Sequence, residues 1–89
     1  MSGSEFEEWK TWAAVKLIEM IGEVEDENTR KALEDLLYRL PPLREFCVGS
    51  YLIRVYDVSK KHGLPELLEI VGRYGAMKAE VSAERGSKK

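Results

Sequence analysis

Residues 30–42, RKALEDLLYRLPP, decide the fold class. Ala32, Leu33, Leu36, Leu37 and Leu40 recur at steps of three and four residues. That spacing lines one face of an α-helix and none of a strand. Pro41-Pro42 then stops the helix, because a residue before proline is pushed out of the α region. Upstream, Asp26 and Asn28 are candidate caps, with the Thr29 hydroxyl beside them.

The same periodicity continues on either side. Phe6, Trp9, Ala13, Leu17, Met20, Ile21 and Val24 form a first apolar stripe. Acids crowd its opening turn, where they complement the positive end of the helix dipole. Downstream, Pro42 to Lys61 is apolar round most of its circumference, apart from Ser50, Arg54, Asp57 and Lys61. This pattern predicts a helix wrapped by others. Gly63 follows Lys60, Lys61 and His62 as a left-handed stop. Pro65 then opens a fourth helix, whose stripe is Leu67, Ile70, Val71, Tyr74, Met77 and Val81.

The expectation is an all-α domain of four helices over roughly 5–22, 27–40, 42–62 and 65–82. They would pack as a four-helix bundle or as two packed helical hairpins, with the third helix central. Residues 1–4 and 83–89 are small or polar and are expected to lie outside the helices.

Eighty-nine residues supply one core. A domain of this size buries only about 60% of the surface its unfolded chain exposes, and oligomerisation is a usual remedy. Disulfides and metals are poor alternatives here. Cys47 is the only cysteine and His62 the only histidine, too few for a bridge within the chain or a tetrahedral zinc site. Neither a metal nor a cofactor is expected. The single cysteine and the lack of a readable secretory signal suggest a reducing, cytoplasmic setting. No apolar run reaches the roughly 20 residues that cross a bilayer.

Net charge is −2, which argues against a dedicated polyanion binder. Its distribution is uneven: residues 1–28 carry eight acids against Lys10 and Lys16, whereas residues 29–89 carry twelve bases against eight acids. There is no glutamine and one asparagine, and a third of the chain is charged, the compositional trend of thermophile proteins.

Few residues suggest chemistry. His62 lacks a visible catalytic partner and suits a helix C-terminus. Cys47, within an apolar stretch, reads as a buried small hydrophobe. The expected function is therefore non-catalytic: a helical interaction module acting as a homodimer, or as a small subunit or adaptor of a larger assembly.

Two features carry that expectation. Trp12, Val15 and Ile18 fall away from the first apolar stripe, among acids on the expected wet side. Such a patch is rarely left bare on a monomer, and tryptophan is enriched at interface hot spots. Gly72, Gly75, Ala76, Ala79 and Ala83 line one side of the fourth helix, where small residues let another backbone approach, inside the domain or from a second chain. An alternative function is a nucleic-acid-associated accessory protein using Arg39, Arg44, Arg54, Lys60 and Lys61, with tyrosines nearby to stack on bases.

Overall fold

A computed structural model describes the backbone of residues 2–86 and the side chains of residues 5–79. Four helices form: α1 (Ser2–Glu23), α2 (Glu27–Arg39), α3 (Val48–His62) and α4 (Leu68–Gly86). Two short 3-10 turns, Glu45–Cys47 and Pro65–Leu67, lead into α3 and α4. The all-α expectation holds.

Two of the junctions have local causes. Asp26 caps α2 by accepting from the Thr29 backbone N–H at 2.8 Å and its hydroxyl at 2.9 Å. These two bonds, backbone first, hold the Asp26 carboxyl below its ordinary value. Gly63 ends α3 with φ +66°, and the Leu64 N–H reaches back to the Ser59 carbonyl at 2.9 Å. The Ser59 hydroxyl donates to the Leu64 carbonyl at 2.8 Å and tightens the same turn.

The third helix begins later than its prolines suggest. Arg44 is extended (φ −104°, ψ 151°), and regular α-helix starts only at Val48. The cause lies across the bundle. The Lys10 ammonium on α1 takes hydrogen bonds to the carbonyls of Pro41 (3.1 Å) and Leu43 (3.0 Å), holding this stretch as a turn. The chain ends also differ from expectation. α1 starts at Ser2 and α4 runs to Gly86, since an established helix extends cheaply residue by residue. Residues 87–89 of the expected tail lie outside the described residues.

The helices run up, down, up and down. Consecutive helices pack side by side and α4 returns to α1. Tyr51 on α3 donates to the Leu36 carbonyl on α2 at 2.8 Å, and Trp9 on α1 donates to the Ile70 carbonyl on α4 at 3.1 Å. α1 and α3 thus occupy diagonal corners. The molecule measures 51 × 22 × 20 Å, because α1 and α4 are longer than the helices between them.

The largest fully buried side chains are Leu17, Leu33, Leu36, Leu40, Val55, Leu67 and Ile70. Each contributes roughly 1.5–3 kcal/mol by leaving water. At one end an aromatic cluster takes over: Trp9 lies edge-on to Tyr74 at 5.1 Å and to Tyr51 at 6.4 Å, and stacks on Phe6 at 5.9 Å. α3 is one wall of the bundle rather than a helix wrapped on all sides. It buries Val48, Tyr51, Val55 and Ser59 and leaves Ile53 and Tyr56 outside. A corner helix has two neighbours, so its outer side stays bare whatever residues it carries.

Candidate interaction surface

Among the described residues, the outer side of α3 and the turn before it leave large apolar side chains uncovered. Phe46 is 82% exposed, Ile53 65% and Tyr56 47%. Gly49, Ile53 and Tyr56 are exposed at a 4-3 spacing along one row of α3, while Phe46 stands ahead of the helix in the Glu45–Cys47 turn. Lys60 continues the row four residues on, its ammonium 5.4 Å from the centre of the Tyr56 ring. Sequence reasoning missed this surface by treating all of the third helix outside the Ser50, Arg54, Asp57 and Lys61 stripe as core. The signal was available: Val48, Tyr51, Val55 and Ser59 already fill one face, so a second apolar row must point elsewhere.

The small-residue side of α4 is also uncovered. Gly72, Gly75, Ala76 and Ala79 are all exposed, while Ala83 lies outside the residues whose side chains are described. A methyl group added at Gly72 or Gly75 would meet nothing within 4 Å. Among the described residues nothing fills the space at Gly72 or Gly75, so of the two occupants expected, within the domain or from a second chain, the internal one is not seen at these glycines. α4 turns Ile70 and Tyr74 inward and Arg73 toward α1, which leaves the small residues outermost.

The patch expected on the first helix divides. Trp12 sits half-buried at the α1–α4 seam, its ring covered by the Arg73 guanidinium at 4.7 Å. A cation in that position is attracted by the ring's electron-rich face. Val15 and Ile18 point outward, 49% and 56% exposed. Close by, Lys16 donates to Glu69 at 2.9 Å, which raises the lysine's pKa.

The basic candidates divide as well. Arg39, Arg44 and Arg54 meet round an open groove of about 380 Å3, floored by Pro42, Leu43 and Tyr51. Asp35 lies at 2.9 Å from Arg39 and 4.0 Å from Arg54, and offsets part of their charge. Lys60 and Lys61 belong to the opposite end of α3 and do not join the groove.

The two residues with the most reactive side chains have structural surroundings. His62 Nδ1 lies 3.1 Å from the Thr29 hydroxyl, which itself donates to Asp26. With that proton committed to the carboxylate, the ring nitrogen donates to the hydroxyl oxygen rather than accepting from it. The trio ties the end of α3 to the start of α2 and leaves no activated nucleophile. Cys47 is exposed at the cap of α3, not buried as its apolar neighbours suggested. The late start of the helix turns it outward. Among the described residues, no group of three or more His, Cys, Asp and Glu side chains gathers as a metal site, and no helix is long and apolar enough to cross a membrane. Compared with protein-family models, curated proteins and solved structures, the chain matches none of them.

Proposed function

We propose that this chain is a non-catalytic helical interaction module, working in the cytoplasm by pairing with a second copy of itself. One observation carries the reading: Ile53 and Tyr56 stand exposed on a helix whose opposite face is already packed, with Phe46 exposed in the turn that leads into it. Monomers seldom leave a contiguous patch of large apolar side chains in water. Val15 and Ile18 lie on the diagonally opposite corner, so a dimer formed through α3 keeps them free for a further subunit of an assembly.

Size-exclusion chromatography with light scattering tests this directly. A mass near twice 10.2 kDa is expected at high micromolar concentration, falling to one chain on dilution or on Ile53→Glu. Ile53→Glu places its charge on an outward position, so the monomer should keep its helical circular dichroism. A single-chain mass at every concentration refutes the reading.

A second reading has its own support. The gathering of Arg39, Arg44 and Arg54 round one groove favours a nucleic-acid-associated role, since guanidinium groups pair well with phosphates. It predicts binding that weakens steeply with salt and is lost in Arg44→Ala/Arg54→Ala. Absence of binding to single- and double-stranded DNA and RNA at low salt dismisses it.

A further inference from the structure

We infer that the groove between α2 and α3 is a binding site for a small phosphate monoester carried on an apolar or aromatic body. It is independent of self-association, and it differs from the nucleic-acid reading in asking for one terminal phosphate rather than a strand. Arg39 comes from the end of α2, Arg44 from the turn and Arg54 from the middle of α3, so the three meet only in the folded chain. The cavity they line measures about 380 Å3, a size that suits a small organic molecule.

The groove is rich in donors and poor in acceptors. The carbonyls of Pro41 and Leu43 are taken by the Lys10 ammonium, which comes from α1. Those of Leu40 and Arg44 accept from the Leu43 and Cys47 backbone N–H groups at 3.0 and 2.9 Å. The Tyr51 hydroxyl is committed to the Leu36 carbonyl, so its ring brings carbon to the lining. With the backbone acceptors engaged, three guanidinium groups and the Ser50 hydroxyl set the polar character of the walls. Such a set recognises an anion.

Charge and shape choose the class of anion. Asp35 is the one carboxylate paired with these arginines among the described residues, and it leaves two positive charges in excess. A carboxylate ligand would offset one of them. A phosphate monoester carries a charge of about −1.5 to −2 near neutral pH and presents three strong acceptor oxygens. A phosphodiester strand brings one charge per phosphate and needs a basic track to follow. Lys60 and Lys61, at the opposite end of α3, do not extend the groove into one. Pro42, Leu43 and Tyr51 form an apolar floor that inorganic phosphate could not use, which calls for an organic body on the ester.

Titration of the full isotope-labelled chain with 1-naphthyl phosphate, 1-naphthol and inorganic phosphate, followed by amide NMR shifts at low salt, tests the site. The naphthyl ester should shift amides within 39–54 saturably, and bind at least about tenfold more tightly than either fragment. Arg44→Ala, at an exposed position, should weaken that binding about tenfold or more, as expected for a lost charge-assisted hydrogen bond. Asp35→Asn should tighten it several-fold by releasing Arg39 and Arg54, a direction that structural damage would not produce. Lys60→Ala/Lys61→Ala should leave it unchanged. Three results overturn the inference: no saturable shift with the naphthyl ester, equal binding of inorganic phosphate, or equal weakening by the lysine pair and Arg44→Ala. An oligonucleotide without a terminal phosphate that displaces the ester from the groove also overturns it, and gives the site to the nucleic-acid reading.

Discussion

Replacing Lys10 by methionine should destabilise the bundle strongly, for a reason confined to two hydrogen bonds. The Lys10 side chain is only 11% exposed. Its ammonium donates to the Pro41 and Leu43 carbonyls at 3.1 and 3.0 Å. Neither carbonyl lies in a helix that would satisfy it. Methionine keeps the length and apolar character of the stem and deletes the donors. Hydrogen bonds to a charged group contribute about 1.5–3 kcal/mol each, and water reaching the edge of this site recovers part of that. The Glu7 carboxylate, 3.8 Å away and largely exposed, adds almost nothing. The Phe6 ring, 5.4 Å from the ammonium, adds about 0.5–1 kcal/mol. A net loss of about 2–3 kcal/mol follows, and in a domain of this size each kcal/mol moves Tm by roughly 4–8 °C. Urea and thermal unfolding followed by circular dichroism at 222 nm measure it. Hydrogen exchange should quicken first at Leu43 to Cys47, the stretch that loses its clamp. A stability loss below about 0.5 kcal/mol would refute the argument, because the turn would then hold without Lys10.

Further outcomes follow from other sites. Tyr51→Phe removes the hydroxyl that reaches the Leu36 carbonyl and should cost about 1 kcal/mol in urea unfolding. Burial pushes the Tyr51 and Tyr74 hydroxyls above their ordinary value of 10.0, so the unfolded chain releases these protons first. The stability of the native chain should therefore be full below pH 10 and fall as the pH rises above it, less steeply in Tyr51→Phe. Asp26→Ala should lower Tm at neutral pH. Because the native carboxyl titrates below its ordinary 3.8, the difference from wild type should persist above that pH and fade as acid protonates the native cap. Gly75→Ala should stabilise the monomer by about 0.5–1 kcal/mol, since the added methyl meets nothing and the helix gains a better former. A loss of stability in dilute monomer would contradict the open surface described for α4.

The helices were legible because their signals are local. Stripes at three- and four-residue steps, the Asp26 cap, the Gly63 stop and the prolines all act within a turn or two of where they stand. What escaped was decided by partners distant in the chain. Nothing around Lys10 announces that it will capture two carbonyls more than thirty residues away and delay α3 until Val48. Trp12 looked stranded because its cover, Arg73, arrives from the last helix. Arg39, Arg44 and Arg54 share no periodicity, and only the turn after α2 brings them round one groove. The exposed row on α3 was hidden for a different reason. An apolar helix can be wrapped by neighbours in its own chain or left for another, and the sequence pattern is the same in both cases.

The Trp9 indole hydrogen bond to the Ile70 carbonyl has a kinetic consequence. Three of the four principal helix contacts join neighbours along the chain, so they form as local hairpins with little loop-closure entropy. Only the α1–α4 seam joins the two ends of the fold, and Trp9 sits inside it, 61 residues from its acceptor. A topology so rich in local contacts belongs with fast folders. During refolding, the emission of Trp9 should change when the seam closes, whereas circular dichroism responds as soon as the hairpins form. A lag of fluorescence behind ellipticity would time the step at which a row of hairpins becomes a closed ring. The chain thus carries its own optical marker for that closure.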